Sequence, residues 1–211
     1  MTAFYWLALN ATHLLALLLY RIRYVGKENL PREGGYIVAC NHRSLLDPVL
    51  LAHGIPRQVN YMGKVELFHV PVLGPILRGV GVFPVERGTG DASALDHAVE
   101  LLQQGNLMGI FPEGTRSHDG QMGRPKSGMA HLAKTAQVGV VPCAIRFEGK
   151  MKLWKRIEIS YGKPIPYETL FGEDTGGAAL KRATKLVMGQ IADLLGTPQG
   201  LTAPHSTPSQ E

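Results

Sequence analysis

An imidazole and a carboxylate stand five residues apart in the segment Asn41-His42-Arg43-Ser44-Leu45-Leu46-Asp47-Pro48. A carboxylate that accepts the proton of one imidazole nitrogen fixes the tautomer and leaves the other nitrogen free to act as a general base. Imidazole in general titrates at about pH 6.5, which suits proton abstraction near neutrality. Five residues correspond to about 500 degrees of ideal helix, so the two side chains cannot meet within one regular helix. They converge only if His42 sits in a turn and Asp47 in the first helical turn. A structural reading competes, because Ser44 and Asp47 have the spacing of an N-terminal capping box with Asp in the place of Glu.

A second segment with chemistry is Phe111-Pro112-Glu113-Gly114-Thr115-Arg116-Ser117, which follows the apolar run Leu107 to Phe111. Loops at the ends of buried strands are common ligand sites in open α/β sheets. Gly114 allows backbone to approach a ligand closely, Thr115 and Ser117 can donate hydrogen bonds, and Arg116 presents a planar fork suited to phosphate oxygens. Glu113 is placed to orient Arg116. A tight loop holding an ordinary Glu to Arg ion pair is the alternative.

The elements that must position these groups follow an α/β rhythm. Strands are expected at 36–40 (YIVAC), 59–63, 81–85, 107–111, 140–147 and 156–162, with a helix starting at Ser44. Asp91 to Gln104 carries Leu95, Ala98, Val99 and Leu102 at helical spacing and stops at Gly105. A last helix carries Leu180, Thr184, Val187, Ile191 and Leu194 on one face and ends at Gly196. Residues 197–211, rich in Pro, Ser and Thr, are expected to be a disordered tail.

Ala3 to Tyr20 is an uncharged apolar run, about 27 Å long as a helix and just short of a bilayer core. It is expected to span a membrane or lie in its interface as an N-terminal segment, 1–22, ahead of one domain at 23–196. Asn10, Thr12 and His13 interrupt it, Phe4, Tyr5 and Trp6 suit a headgroup boundary, and Arg21, Arg23 and Lys27 follow it. That order of charges does not fit a secretory signal and keeps the rest of the chain on the cytoplasmic side. A buried core helix is the alternative. The run Leu67 to Phe83, uncharged apart from Arg78, reads as a lining for an apolar chain, a second membrane contact or a plain core helix.

With 211 residues the chain suffices for one domain with a substantial core. The net charge of +5 favours anionic partners, but the basic residues are scattered and no RNP, KH or zinc-finger signature is present, which argues against nucleic acid. His13, His53, His69, His97, His118, His131 and His205 form no recognisable ligand array, so no metal is expected. Cys40, two residues before His42, could in principle relay an acyl group as a thiolate; a buried strand cysteine is the simpler reading. G-x-S-x-G and H-E-x-x-H are absent.

Together and in order, these segments resemble the glycerolipid acyltransferase family, which includes bacterial lysophosphatidate acyltransferases. NHRSLLDP resembles its first motif, GVFPVERG at 81–88 the second with Arg87 as its basic residue, FPEGTRS the third and VVPCAI at 140–145 the fourth; MGKVELF and KSGMAHLA resemble segments between them, so the likeness covers 24–165. Pro84 and Cys143 depart from the pattern without touching a group on which the chemistry depends. The resemblance implies a single α/β domain with a mixed, mostly parallel sheet flanked by helices. It implies His42 as general base, Asp47 as its orienting partner, and Arg87, Glu113, Gly114, Thr115, Arg116 and Lys64 around the acceptor phosphate; Lys126 reads as a further phosphate contact or as a solvated loop lysine. The implied reaction moves a fatty acyl group from a thioester, acyl-CoA or acyl carrier protein, to the sn-2 hydroxyl of lysophosphatidate. No bound cofactor is implied, and the implied setting is the cytoplasmic face of a bacterial inner membrane among its lipids. Another lysophospholipid, glycerol 3-phosphate or a lyso-ornithine lipid would use the same hydroxyl chemistry, and a noncatalytic lipid-binding module is the alternative outside enzymology.

Overall fold

Two apolar faces on one sheet dictate the architecture. In β2 (Tyr36–Cys40), Ile37 and Ala39 point to one core and Val38 and Cys40 to the other, as strand alternation requires. The computed structural model describes residues 3–86, 91–117, 121–149, 151–172 and 176–196. Its sheet has seven strands in the order β1-β7-β6-β2-β5-β3-β4. These are β1 (Arg21–Val25), β2, β3 (Val59–Lys64), β4 (Val82–Val85), β5 (Leu107–Ile110), β6 (Gly139–Arg146) and β7 (Arg156–Tyr161). Every pairing is parallel except β6 with β7, so β1 and β7 run opposite to the other five strands. The mixed, mostly parallel sheet expected above is therefore present.

On one face lie α4 (Ala92–Gln103), α5 (Gly128–Ala136), α6 (Tyr167–Phe171) and α7 (Gly177–Gly196), which bury Ala98, Leu102, Leu132, Val187 and Ile191 against the sheet. Asp91 caps α4 by accepting from the amide of Ala94 at 3.1 Å. The other face is covered by α1 (Ala3–Leu19) and α2 (Asp47–His53), where Leu50 and Leu51 are fully buried. Burying each of these leucines stabilises by roughly 1.5–3 kcal/mol. The short helix α3 (Leu73–Gly79) joins β3 to β4.

Three elements go beyond those legible in the sequence: β1, α5 and α6. Arg21 and Arg23 sit exposed on β1, and charges of this kind keep an edge strand from pairing with another chain. α1 stops at Leu19 and the chain enters the sheet at once, so the N-terminal segment is built onto the domain. Tyr5 is buried and its hydroxyl accepts from the amide of Val59 at 3.2 Å. Among the described residues no helix is long and apolar enough to cross a membrane. The proposed tail at 197–211 lies outside the described residues.

Candidate active site

β2 delivers His42 to the carboxyl end of the sheet, and the side chain of Asn41 extends the strand beyond its last backbone pairing. Its Oδ1 accepts from the amide of Ile145 at 2.8 Å and its Nδ2 donates to the carbonyl of Ile145 at 3.0 Å. The amide imitates a strand residue, so the backbone is free to turn at His42 without leaving β6 unpaired.

The turn brings the imidazole onto Asp47. Helix α2 begins at Asp47 rather than at Ser44, with Pro48 in its first turn, where a missing N–H costs nothing. The Oδ2 of Asp47 accepts from His42 Nδ1 at 2.8 Å, from the Arg43 amide at 2.6 Å and from the Ser44 amide at 2.7 Å. An ionised carboxylate only accepts, so the shared proton belongs to Nδ1 and the lone pair to Nε2. The capping-box reading is thus half correct: Asp47 reaches back to the Ser44 amide, but the Ser44 hydroxyl accepts from Leu46 at 3.1 Å, one residue short of a box. Asp47 is wholly buried and the His42 side chain is 17% exposed, leaving the ring open to a ligand on one side only.

Phe111 closes the ring's other face. The His42 and Phe111 rings stack with centroids 4.1 Å apart, and Tyr61 stacks behind Phe111 at 6.4 Å. Gly109 makes room for this column, since a Cβ there would lie 2.0 Å from the Tyr61 ring. Cys40 does not serve as a relay: it is buried, and burial pushes its thiol pKa well above the usual range.

The loop after β5 wraps around the histidine. Glu113, buried, accepts from the His42 amide at 2.9 Å through Oε1 and from the Gly123 amide through Oε2, while the Ser117 amide donates to the His42 carbonyl at 2.8 Å. This corrects the expected pairing of Glu113 with Arg116: the two form no ion pair, and both carboxylate oxygens accept from backbone donors. Gly114 turns the loop at φ 69, and Lys126 packs across it at 3.2 Å from where a Cβ would stand. Thr115 and Arg116 are exposed, and Arg116 forms no ion pair among the described residues. Lys64, the exposed last residue of β3, lies at the same end of the sheet. Arg87 lies outside the described residues.

Arg43 was not singled out by the sequence, yet it ties the site to its surroundings. Its guanidinium donates to the carbonyls of Phe147 and Gly149 and sits 4.1 Å from the Phe147 ring centroid. A charged residue between His42 and the cap is the only sequence signal it offered. No group of His, Cys, Asp or Glu among the described residues could hold a metal ion.

A family model described as acyltransferase matches residues 21–146. Over 155 residues the chain is 35% identical to the 1-acyl-sn-glycerol-3-phosphate acyltransferase of Bacillus subtilis, covering 68% of this chain and 76% of that one. The chain belongs to the acyltransferase family. Other members with curated names include the 1-acyl-sn-glycerol-3-phosphate acyltransferase of Streptococcus pneumoniae, 32% identical over 72% of this chain and 60% of its own length. The human 1-acyl-sn-glycerol-3-phosphate acyltransferase alpha is 31% identical over 82% of this chain and 65% of its own. The match thus spans less than two thirds of these last two relatives. Among solved structures, the acyltransferase fold of the 1-acyl-sn-glycerophosphate (LPA) acyltransferase PlsC from Thermotoga maritima superposes with a TM-score of 0.67. It shares 22% identity over 87% of this chain and 76% of that one, and supports the fold.

Proposed function

We propose that this acyltransferase moves a fatty acyl group from a thioester, acyl-CoA or acyl carrier protein, to the sn-2 hydroxyl of lysophosphatidate, giving phosphatidate. The observation that carries this reading is the 2.8 Å contact of His42 Nδ1 with the buried Asp47, which leaves Nε2 as the base at the open end of the sheet. Nε2 takes the proton of the hydroxyl as its oxygen attacks the thioester carbonyl, and the new C–O bond forms. The tetrahedral centre collapses with cleavage of the C–S bond, and the imidazolium returns its proton to the departing thiolate. A positioned base contributes roughly 10²- to 10⁴-fold to such a step. Neither a metal nor an acyl-enzyme is required.

Arg116 and Lys64, with Arg87 and Lys126, bind the acceptor phosphate; Arg116, Lys64 and Lys126 form no ion pair among the described residues, and such cations suit a phosphate monoester. The exposed apolar side chains of Leu67, Val70 and Val72, just beyond Lys64, offer the acyl chain a path. The protein works from the cytoplasmic face of a bacterial inner membrane, with α1 lying in the interface. Leu7, Leu14, Leu15, Leu17 and Leu18 are exposed on that helix, an apolar face that water disfavours. Labelled acyl donor offered with lysophosphatidate, glycerol 3-phosphate and lysophosphatidylethanolamine side by side tests the reading. Phosphatidate is the expected product; transfer only to another acceptor, or to none, would overturn it.

A further inference from the structure

Trp154 is two-thirds exposed, at 66%, and adopts φ 63, a backbone conformation that side chains other than Gly, Asn and Asp rarely enter. Neither core packing nor turn geometry accounts for a bulky aromatic there; in water, glycine or asparagine would serve the turn better. Its neighbour Leu153 is 63% exposed as well. Such a pair, strained and bare, gains from burial somewhere other than within this chain.

Its position says where. The Trp154 amide donates to the carbonyl of Leu19 at 2.7 Å and so caps the last turn of α1, directly beyond the exposed Leu17 and Leu18. β1 and β7 run opposite to β2, so their first residues, Arg21 and Arg156, lie at the end of the sheet where β2 delivers His42. Arg43, next to His42, holds the start of the same connection through Phe147 and Gly149. Cations frame the pair: Lys152 and Arg156 are exposed, Lys155 is half-buried, and Arg21 bonds through its amide to the Lys155 carbonyl at 3.0 Å. None of the four forms an ion pair among the described residues.

We infer that Leu153 and Trp154 form a wedge that enters an anionic phospholipid bilayer beside the end of α1, turning the His42 end of the sheet toward the membrane. Tryptophan is favoured at the headgroup boundary, and free lysines and arginines around it are attracted to anionic lipid. The inference rests on the membrane-docked reading of α1 given above and adds to it a second, separable anchor close to the site.

Trp6 and Trp154 are the only tryptophans in the sequence, so Trp6→Phe leaves Trp154 as a single reporter in the full chain. With vesicles of phosphatidylcholine and phosphatidylglycerol, its emission should shift to the blue and be quenched by bromine-labelled acyl chains, and much less so with phosphatidylcholine alone. Trp154→Asn should lower partitioning onto the anionic vesicles about tenfold or more, the loss expected for one large apolar side chain. Its thermal stability should be equal or higher, because asparagine tolerates the left-handed turn. If the protein sediments with vesicles but Trp154 emission is unchanged, or Trp154→Asn binds as well as the parent, the wedge is overturned while docking through α1 stands. If the parent does not bind anionic vesicles at all, both readings fall.

Discussion

The buried carboxylate of Glu113 holds the backbone amide of His42 at 2.9 Å, so the loop that carries Arg116 also fixes the peptide that carries the imidazole. Asp47 orients the ring and Glu113 orients the main chain from which the ring projects. The two acidic residues therefore act on one histidine, though Asp47 opens α2 and Glu113 lies in the loop after β5.

The roles of the two carboxylates separate on substitution. Glu113→Gln places an amide NH2 against the amide of either His42 or Gly123, leaving a buried donor unpaired at a cost of roughly 1–3 kcal/mol. Denaturant unfolding should register that loss. Activity should fall mainly in kcat with little change in KM for the acceptor, because what moves is the base; a large rise in KM with kcat intact would instead return Glu113 to the phosphate.

Asp47→Asn should keep the fold at a cost of roughly 1–3 kcal/mol, since a carbonyl oxygen in the place of Oδ2 still accepts from the Arg43 and Ser44 amides while the buried NH2 in the place of Oδ1 finds no acceptor. The same oxygen still accepts from His42 Nδ1, but the neutral amide no longer stabilises the imidazolium formed when Nε2 takes the proton, so kcat should fall about 10²- to 10⁴-fold. Steady-state kinetics beside a melting curve reads both quantities, and an Asp47→Asn enzyme of wild-type rate would show that the carboxylate's charge is not needed by the base.

Arg116→Ala should raise KM for lysophosphatidate by about 10- to 100-fold, the worth of one charge-assisted hydrogen bond of roughly 1.5–3 kcal/mol. KM for the thioester should hardly change. Equal effects on both substrates would assign Arg116 to the donor or to the fold.

Stability should fall in acid through His53. Burial, and then the neighbouring charge of His13, lower its pKa to about 4, while an unfolded chain titrates at about 6.5. Between these values the unfolded state takes up a proton that the folded state refuses, so stability is full above about pH 6.5 and declines as pH falls toward about 4. The ring nitrogen Nε2 lies 3.1 Å from the Thr12 hydroxyl on α1, so the decline should loosen the contact between α1 and α2. Because His53 is partly exposed, solvent softens the effect. Urea unfolding of wild type and His53→Asn across this range should converge toward low pH; parallel curves would remove His53 as the cause.

Periodicity and motif spacing made most of this fold legible. YIVAC, the run before FPEGTRS and the last helix lie where alternation and helical spacing put them, because their burial is local and regular. β1 escaped notice because RIRYV is an edge strand with arginines facing out, and its pairing with β7 depends on residues 130 and more positions away. His42 and Asp47 were readable because five residues and a turn settle their meeting. Glu113 was read as a partner of its neighbour Arg116, since sequence carries local pairings and conceals that a buried carboxylate serves a backbone 71 residues earlier. The Phe111 platform was hidden for the same reason: an aromatic ending a strand reads as core until the facing ring is known.

The central claim is tested most directly by the rate of phosphatidate formation from lysophosphatidate and labelled acyl donor in wild type and in folded His42→Ala. A loss of about 10²- to 10⁴-fold in His42→Ala, with vesicle binding retained, is the predicted result. Transfer at the wild-type rate in His42→Ala, or no transfer by wild type despite binding to anionic vesicles, would contradict it.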